Sequence, residues 1–130
     1  MTIKQISIFL ENKQGQLSCI CKTLAAANIN ISALSLADTA DFGIVRMIVD
    51  NHELACKTLR DAGFAVRETE VVTITVSDTP GDMAALTEKL DRAGVDIEYS
   101  YAYALGSGEK AILVFRFNDN AKALAALNNN

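Results

Sequence analysis

Slid against itself by about sixty-six places, this chain of 130 residues meets a second copy of its own pattern, and that repeat limits the fold more than any other feature. The agreement is one of element types rather than of letters. The segment from Ile3 to Leu10 alternates apolar and polar residues as a strand does, and so does Val72 to Val76. Each strand runs into a short polar turn ending in glycine, Asn12-Lys13-Gln14-Gly15 in one copy and Asp78-Thr79-Pro80-Gly81 in the other. A helix follows in both. Leu17, Ile20, Cys21, Leu24 and Ala25 recur at the spacing of one helical face, and Met83, Leu86, Leu90 and Ala93 do the same. Asn28 and Gly94 stand where these helices stop, both residue types that tolerate a left-handed backbone.

Beyond the helix, Ile29-Asn30-Ile31 and Val95-Asp96-Ile97 open extended segments that continue to about Leu36 and Ala104. Turn-forming residues follow, Asp38 to Gly43 and Gly106-Ser107-Gly108, which read as hairpin loops. Returning strands cover Ile44 to Val49 and Ile112 to Phe117, and Asp50-Asn51 and Asn118-Asp119 then cap second helices. In the first copy that helix runs from His52 to Ala62 with Leu54, Ala55, Thr58 and Leu59 inward, stops at Gly63, and leads to a last strand from Phe64 to Glu70. The order strand, helix, strand, strand, helix, strand buries both helix stripes most simply as one helix layer on one antiparallel sheet. The fold class is therefore α+β, two ferredoxin-like βαββαβ repeats, with boundaries at 1–70 and 71–130. The second repeat reads as short at its C-terminus, a helix from Ala121 to Leu127 without the last strand, which suggests either a truncated chain or an edge covered by a partner. No glycine or proline interrupts Val66 to Val76, so no flexible tether joins the copies.

Composition closes off several functions. Sixteen acidic residues outnumber twelve basic ones, for a net charge of -4, and the basic residues are scattered singly, which argues against nucleic acid and against an anionic membrane. No apolar run reaches the roughly 18 residues of a membrane span and no signal peptide is visible, so the chain reads as cytoplasmic. Three cysteines and one histidine, His52, cannot build a zinc site, and Cys19 and Cys21 project on different helix faces. The cysteines read as packing residues, and Lys22, Arg46, Arg67 and His52 as solvated surface. No nucleophile elbow, Cys and His pair or P-loop is present. No metal, cofactor or catalytic residue is expected.

The chemistry concentrates in the two glycine turns. Free backbone N–H groups and the positive end of the dipole at a helix start welcome a carboxylate, and glycine lets a ligand approach closely. The amides of Asn12 and Asn30 both donate and accept, as an amino acid's ammonium and carboxylate require, with the N–H groups near Gly15, Gln16 and Leu17 facing the carboxylate. Polar caps are ordinary, and the same residues also serve as simple turn-formers. Tyr99, Tyr101 and Tyr103 alternate on one strand face, as packing or as the wall of a pocket or a dimer face.

The run from Asn12 to Leu17, continued by Ala27-Asn28-Ile29-Asn30-Ile31, resembles the start of the ACT domain, whose usual form is an acid or amide, two residues, glycine, an aliphatic pair, a helix, and asparagine between aliphatics. Asp78 to Gly81 and Val95-Asp96-Ile97 repeat it, so the chain looks like a small tandem ACT protein. The resemblance implies a regulatory module that binds an amino acid at an interface between ACT-like repeats and acts in trans on an enzyme of amino-acid metabolism. It implies a ligand site of Asn12, Gly15, Gln16, Leu17, Asn30 and Ile31, and a weaker one of Asp78, Gly81, Met83 and Asp96. Gln14 stands where the family often has proline. The two aspartates accept but do not donate, and they repel a carboxylate. A ligand-free module that only pairs proteins is the alternative. An acylphosphatase-type hydrolase on this architecture needs an arginine in the first turn, and Asn12 to Gly15 has none. Exposed sheet edges make a homodimer the default assembly.

Overall fold

A computed structural model describes residues 1–11, 13–38, 42–104 and 110–128. The elements follow in the order β1 (Thr2–Glu11), α1 (Gln16–Ala26), β2 (Ile31–Asp38), β3 (Phe42–Val49), α2 (His52–Asp61), β4 (Ala65–Ser77), α3 (Asp82–Arg92), β5 (Ile97–Ala104), β6 (Lys110–Phe117) and α4 (Asn120–Asn128). The fold is α+β with antiparallel pairing, as the repeat requires. Two compact units emerge, one of residues 4–69 and one of residues 1–3 with 70–130.

In the first unit the strand order is β2-β3-β1-β4. Ile6 and Ile8 oppose Met47 and Val45 across the β1–β3 ladder, and all four are fully buried. They meet Ile20 and Leu24 from α1 and Ala55, Cys56 and Leu59 from α2, a single apolar layer between sheet and helices. Two inward residues are displaced from the expected stripe. Ala25 is exposed, and Leu54, in the first turn of α2, is 41% exposed; the buried set on α2 is Ala55, Cys56 and Leu59.

The second unit has the order β4-β6-β5. Val72, Leu113, Phe115 and Phe117 pack beneath Leu90 of α3 and Ala123 of α4. The rings of Phe115 and Phe117 stack with centroids 5.2 Å apart. Met83 is another departure from the inward stripe, 44% exposed at the start of α3. No strand follows α4 among the described residues. Instead the N-terminal residues pair on β4, where the Thr73 N–H donates to the Met1 carbonyl at 2.8 Å and the terminal ammonium donates to the Thr73 carbonyl at 3.2 Å.

The turn chemistry appears where the composition places it. Asn28 (φ 59°) and Gly94 (φ 70°) both take the left-handed backbone at their helix ends. Asn51 caps α2 by accepting the Leu54 N–H at 3.1 Å, and Asp119 accepts the Lys122 N–H at 3.0 Å. The loop residues 39–41 and 105–109, with most of the two expected hairpin turns, lie outside the described residues.

Candidate functional site

Both glycine turns have the same backbone. Gly15 (φ 88°) precedes α1 and Gly81 (φ 93°) precedes α3, each left-handed and each at the N-cap. A glycine cap has no side chain with which to accept a first-turn N–H, so these two helices start without the side-chain cap that α2 receives from Asn51 and α4 from Asp119. Gln16 and Leu17 follow Gly15 half-buried. Asn12 lies outside the described residues.

Beneath the first turn is a small, partly open cavity of about 90 Å³. Leu10, Leu17, Leu36 and Gly43 line it with apolar surface, and Glu11, Lys13 and Gln16 supply its polar lining. Lys13 and Glu11 form an exposed ion pair at 2.6 Å. The Lys13 ammonium holds the Glu11 carboxyl below its ordinary range, and Glu11 in turn raises Lys13. On the other flank of Gln16 an open cleft of about 460 Å³ runs past Phe9, Cys19 and Gly63.

Asn30 stands elsewhere. It follows the far end of α1, whose eleven residues span roughly 16 Å at about 1.5 Å per residue. Within this unit Asn30 and Ile31 are not brought together with Gly15, Gln16 and Leu17. The Asn30 backbone is held by a reciprocal link: its N–H donates to Asp50 Oδ1 at 3.1 Å, and the Asp50 N–H donates to its carbonyl at 3.2 Å. The second unit repeats the link with the residue types exchanged, Asp96 N–H to Asn118 Oδ1 at 3.1 Å and Asn118 N–H to the Asp96 carbonyl at 3.1 Å. Because the side chain at position 30 takes no part in this link, Asn30→Ala should leave stability within about 0.5 kcal/mol of the parent, whereas Asp50→Ala should cost about 1 kcal/mol. Urea midpoints of the two variants check this. In the second unit Asp78, Gly81, Met83 and Asp96 are all exposed, and Asp96, past the far end of α3, stands apart from Gly81 as Asn30 does from Gly15.

Sequence reasoning missed Glu11, Lys13, Leu36 and Gly43. Gly43 reads as the end of a loop, but β3 begins at Phe42 because β1 extends to Glu11 and offers pairing partners to Phe42 and Gly43. A glycine inside a strand is the signal that could have pointed here, since it often marks close approach of a ligand or backbone.

The match that decides the family spans residues 1–130, against the model described as an ACT domain pair. The chain belongs to the ACT family. No curated protein matches it. Among solved structures it is similar to a protein from Bacteroides thetaiotaomicron at 44% identity and a TM-score of 0.92, covering 98% of this chain and 88% of that one. The ligand-free regulatory subunit of aspartate kinase from Thermus thermophilus superposes with a TM-score of 0.69 at 15% identity over 98% of this chain and 95% of that one. The Thermus flavus counterpart does so with 0.68 at 14% over 98% and 92%. At these identities the two kinase subunits share the fold.

In the first ACT unit the His52 side chain is 36% exposed, but its Nδ1 is buried, 3.8 Å from the Glu68 carboxylate, and has no hydrogen-bond partner among the described residues. Cys56, one turn along α2, is buried, and that burial, with the Glu68 carboxylate second, pushes its thiol from an ordinary 9.0 up to about 11. The folded value lies above the unfolded one. This contribution to stability is therefore intact below about pH 9 and is lost as the pH rises towards 11. We expect the urea midpoint to fall more steeply over that interval in the parent than in Cys56→Ala. We also expect a thiol reagent to modify exposed Cys19 in the native ACT pair and to reach Cys56 only on unfolding.

The tyrosines of β5 oppose Arg116, Val114 and Ile112 of β6, on the sheet face turned away from α3 and α4. All three are half-buried. No group of three or more His, Cys, Asp or Glu among the described residues is placed to hold a metal. No described helix is long and apolar enough to cross a membrane.

Proposed function

We propose that this protein is a cytoplasmic regulatory module, not an enzyme, which binds an amino acid and controls an enzyme of amino-acid metabolism in trans. The observation that carries the reading is the left-handed Gly15 at the start of α1, set above a cavity with an apolar floor and a charged rim. The first-turn N–H groups beyond Gln16, which no side chain caps, receive a carboxylate, the rim answers both charges of a zwitterion, and the floor takes a side chain. Family membership supports the same class, since ACT domains are regulatory modules, and the similar Thermus chain is a regulatory subunit.

Asn30 adds a constraint. A ligand touched by both Gly15 and Asn30 needs two ACT domains, one giving the glycine turn and the other the asparagine, because a single unit holds them at opposite ends. This favours a site at an interface between domains and a homodimer as the assembled form. Asn12, Gln16, Leu17 and Ile31 belong to this proposed site, and Asp78, Gly81, Met83 and Asp96 to a weaker counterpart whose carboxylates disfavour an anion.

The test is thermal unfolding of the full chain against each of the twenty amino acids. A ligand held only by the native state stabilises it by about 2.7 kcal/mol at a hundred times its Kd. One or a few amino acids should raise Tm, and Asn30→Ala should lose most of the rise. No rise with any of them at millimolar concentration overturns the reading in favour of a module that only pairs proteins.

A further inference from the structure

We infer that the cavity under Gly43 selects the ligand's side chain, admitting a short aliphatic α-amino acid whose ammonium and carboxylate are met by Glu11 and Lys13. This rests on the amino-acid reading above and adds to it the size and polarity of the ligand.

Volume is the first observation. The cavity holds about 90 Å³, against about 150 Å³ for an apolar cavity that takes up benzene. A methyl or isopropyl group matches this volume, and an aromatic ring would have to project out of its open mouth. Lining comes second. The floor of Leu10, Leu17 and Leu36 offers no side-chain hydrogen bond, so an amide or carboxylate reaching it gives up hydration that the rim of Glu11, Lys13 and Gln16 has to replace.

Gly43 itself is the third. Its backbone is not left-handed, and among the described residues a Cβ built on it would meet only Ala37 O at 3.5 Å and Leu36 Cδ1 at 3.7 Å, both ordinary contacts. Nothing in the strand requires glycine here, and strand interiors are weakened by it. Gly43 pairs with Leu10 on β1 and lies on the same face of β3 as buried Val45 and Met47. A side chain at position 43 therefore occupies the cavity floor. The missing methyl is space that a ligand fills.

The rim supplies the fourth. Glu11 and Lys13 pair at 2.6 Å in solvent. A zwitterion placed across them gives each charge an opposite partner, so the pair opens without leaving either side uncompensated.

Calorimetric titration of the full chain with glycine, alanine, valine, phenylalanine, tryptophan and glutamate reads the inference. Alanine or valine should bind most tightly, and phenylalanine, tryptophan and glutamate at least tenfold more weakly. Gly43→Ala should weaken valine by about tenfold (a 1.4 kcal/mol difference) while leaving glycine, which sends nothing into the cavity, within twofold. Lys13→Gln should weaken all ligands together. Gly43→Val, checked for folding by circular dichroism, repeats the test with a fuller block. Preference for a large or charged amino acid, or unchanged valine affinity in folded Gly43→Ala and Gly43→Val, overturns the size filter while amino-acid binding stands. No binding of any of these six, together with no rise in Tm with any of the twenty, overturns both.

Discussion

Replacing Phe115 by alanine is expected to destabilise the protein by about 3–5 kcal/mol, the range for removing a buried aromatic ring whose surroundings cannot collapse. Phe115 has no exposed surface and is among the largest wholly buried side chains. Its ring stacks on Phe117 at 11° between planes, and its strand, β6, is hydrogen-bonded on both sides, to β4 and to β5. The ladders hold the backbone in place, so the space left by the ring stays open. Phe115→Leu keeps most of the volume and should recover more than half of the loss. Urea denaturation followed by circular dichroism measures both. A loss under about 1 kcal/mol for Phe115→Ala, well below the range for such a ring, would mean that this core is not packed as described.

Placing a carboxylate at position 55 is the second large effect. Ala55 is fully buried on the inner face of α2, packed with Ile6, Ile8, Leu24 and Leu59 in the core of the first unit. The carboxylate introduced by Ala55→Asp would face those side chains with no cation among them. A carboxylate in such a site takes up a proton rather than stay charged, and the neutral carboxyl, buried without a partner, still costs several kcal/mol. We expect a loss above about 4 kcal/mol, enough to unfold a unit of ordinary stability. Ala55→Ser, which keeps the volume nearly constant and can return its hydroxyl to the helix backbone, should cost about 1–2 kcal/mol. Amide exchange of α2 distinguishes the two, with protection lost in the aspartate variant and kept in the serine one. Ala123 holds the corresponding inner position on α4, also fully buried, and Ala123→Asp should behave alike in the second unit.

Much of this was legible because it depends on local rules. Period-two alternation marked β1 and the second half of β4, helical spacing marked α1 and α3, and the glycine turns and Asn28 marked the breaks between them. Each of those signals is carried by residues within about ten positions of one another, where backbone sterics and side-chain direction act directly. The helix ends and the left-handed glycines at 15 and 81 follow from the same cause.

The candidate site was legible only in part. The glycine turn is a local feature and was found. Its apolar floor is assembled from β1, α1, β2 and β3, and no spacing rule puts Leu36 and Gly43 beside Leu10 and Leu17. That depends on antiparallel register, in which Gly43 falls opposite Leu10 and Leu36 opposite Val45. Burial of His52 Nδ1 beside Glu68 was hidden for the same reason, since α2 and β4 meet only after folding.

The sequence by itself therefore determined the repeat, the element order, the α+β class and the glycine-led helix starts, all of which are set by chain-local sterics and hydrophobic period. The separation of Asn30 from Gly15 was already set by the length of α1. Only the tertiary structure decided that a cavity opens beneath the turn and that Met1 pairs with Thr73 on β4. Those facts rest on strand register and on the packing of helices against a sheet, interactions between residues far apart in the chain that no local pattern encodes.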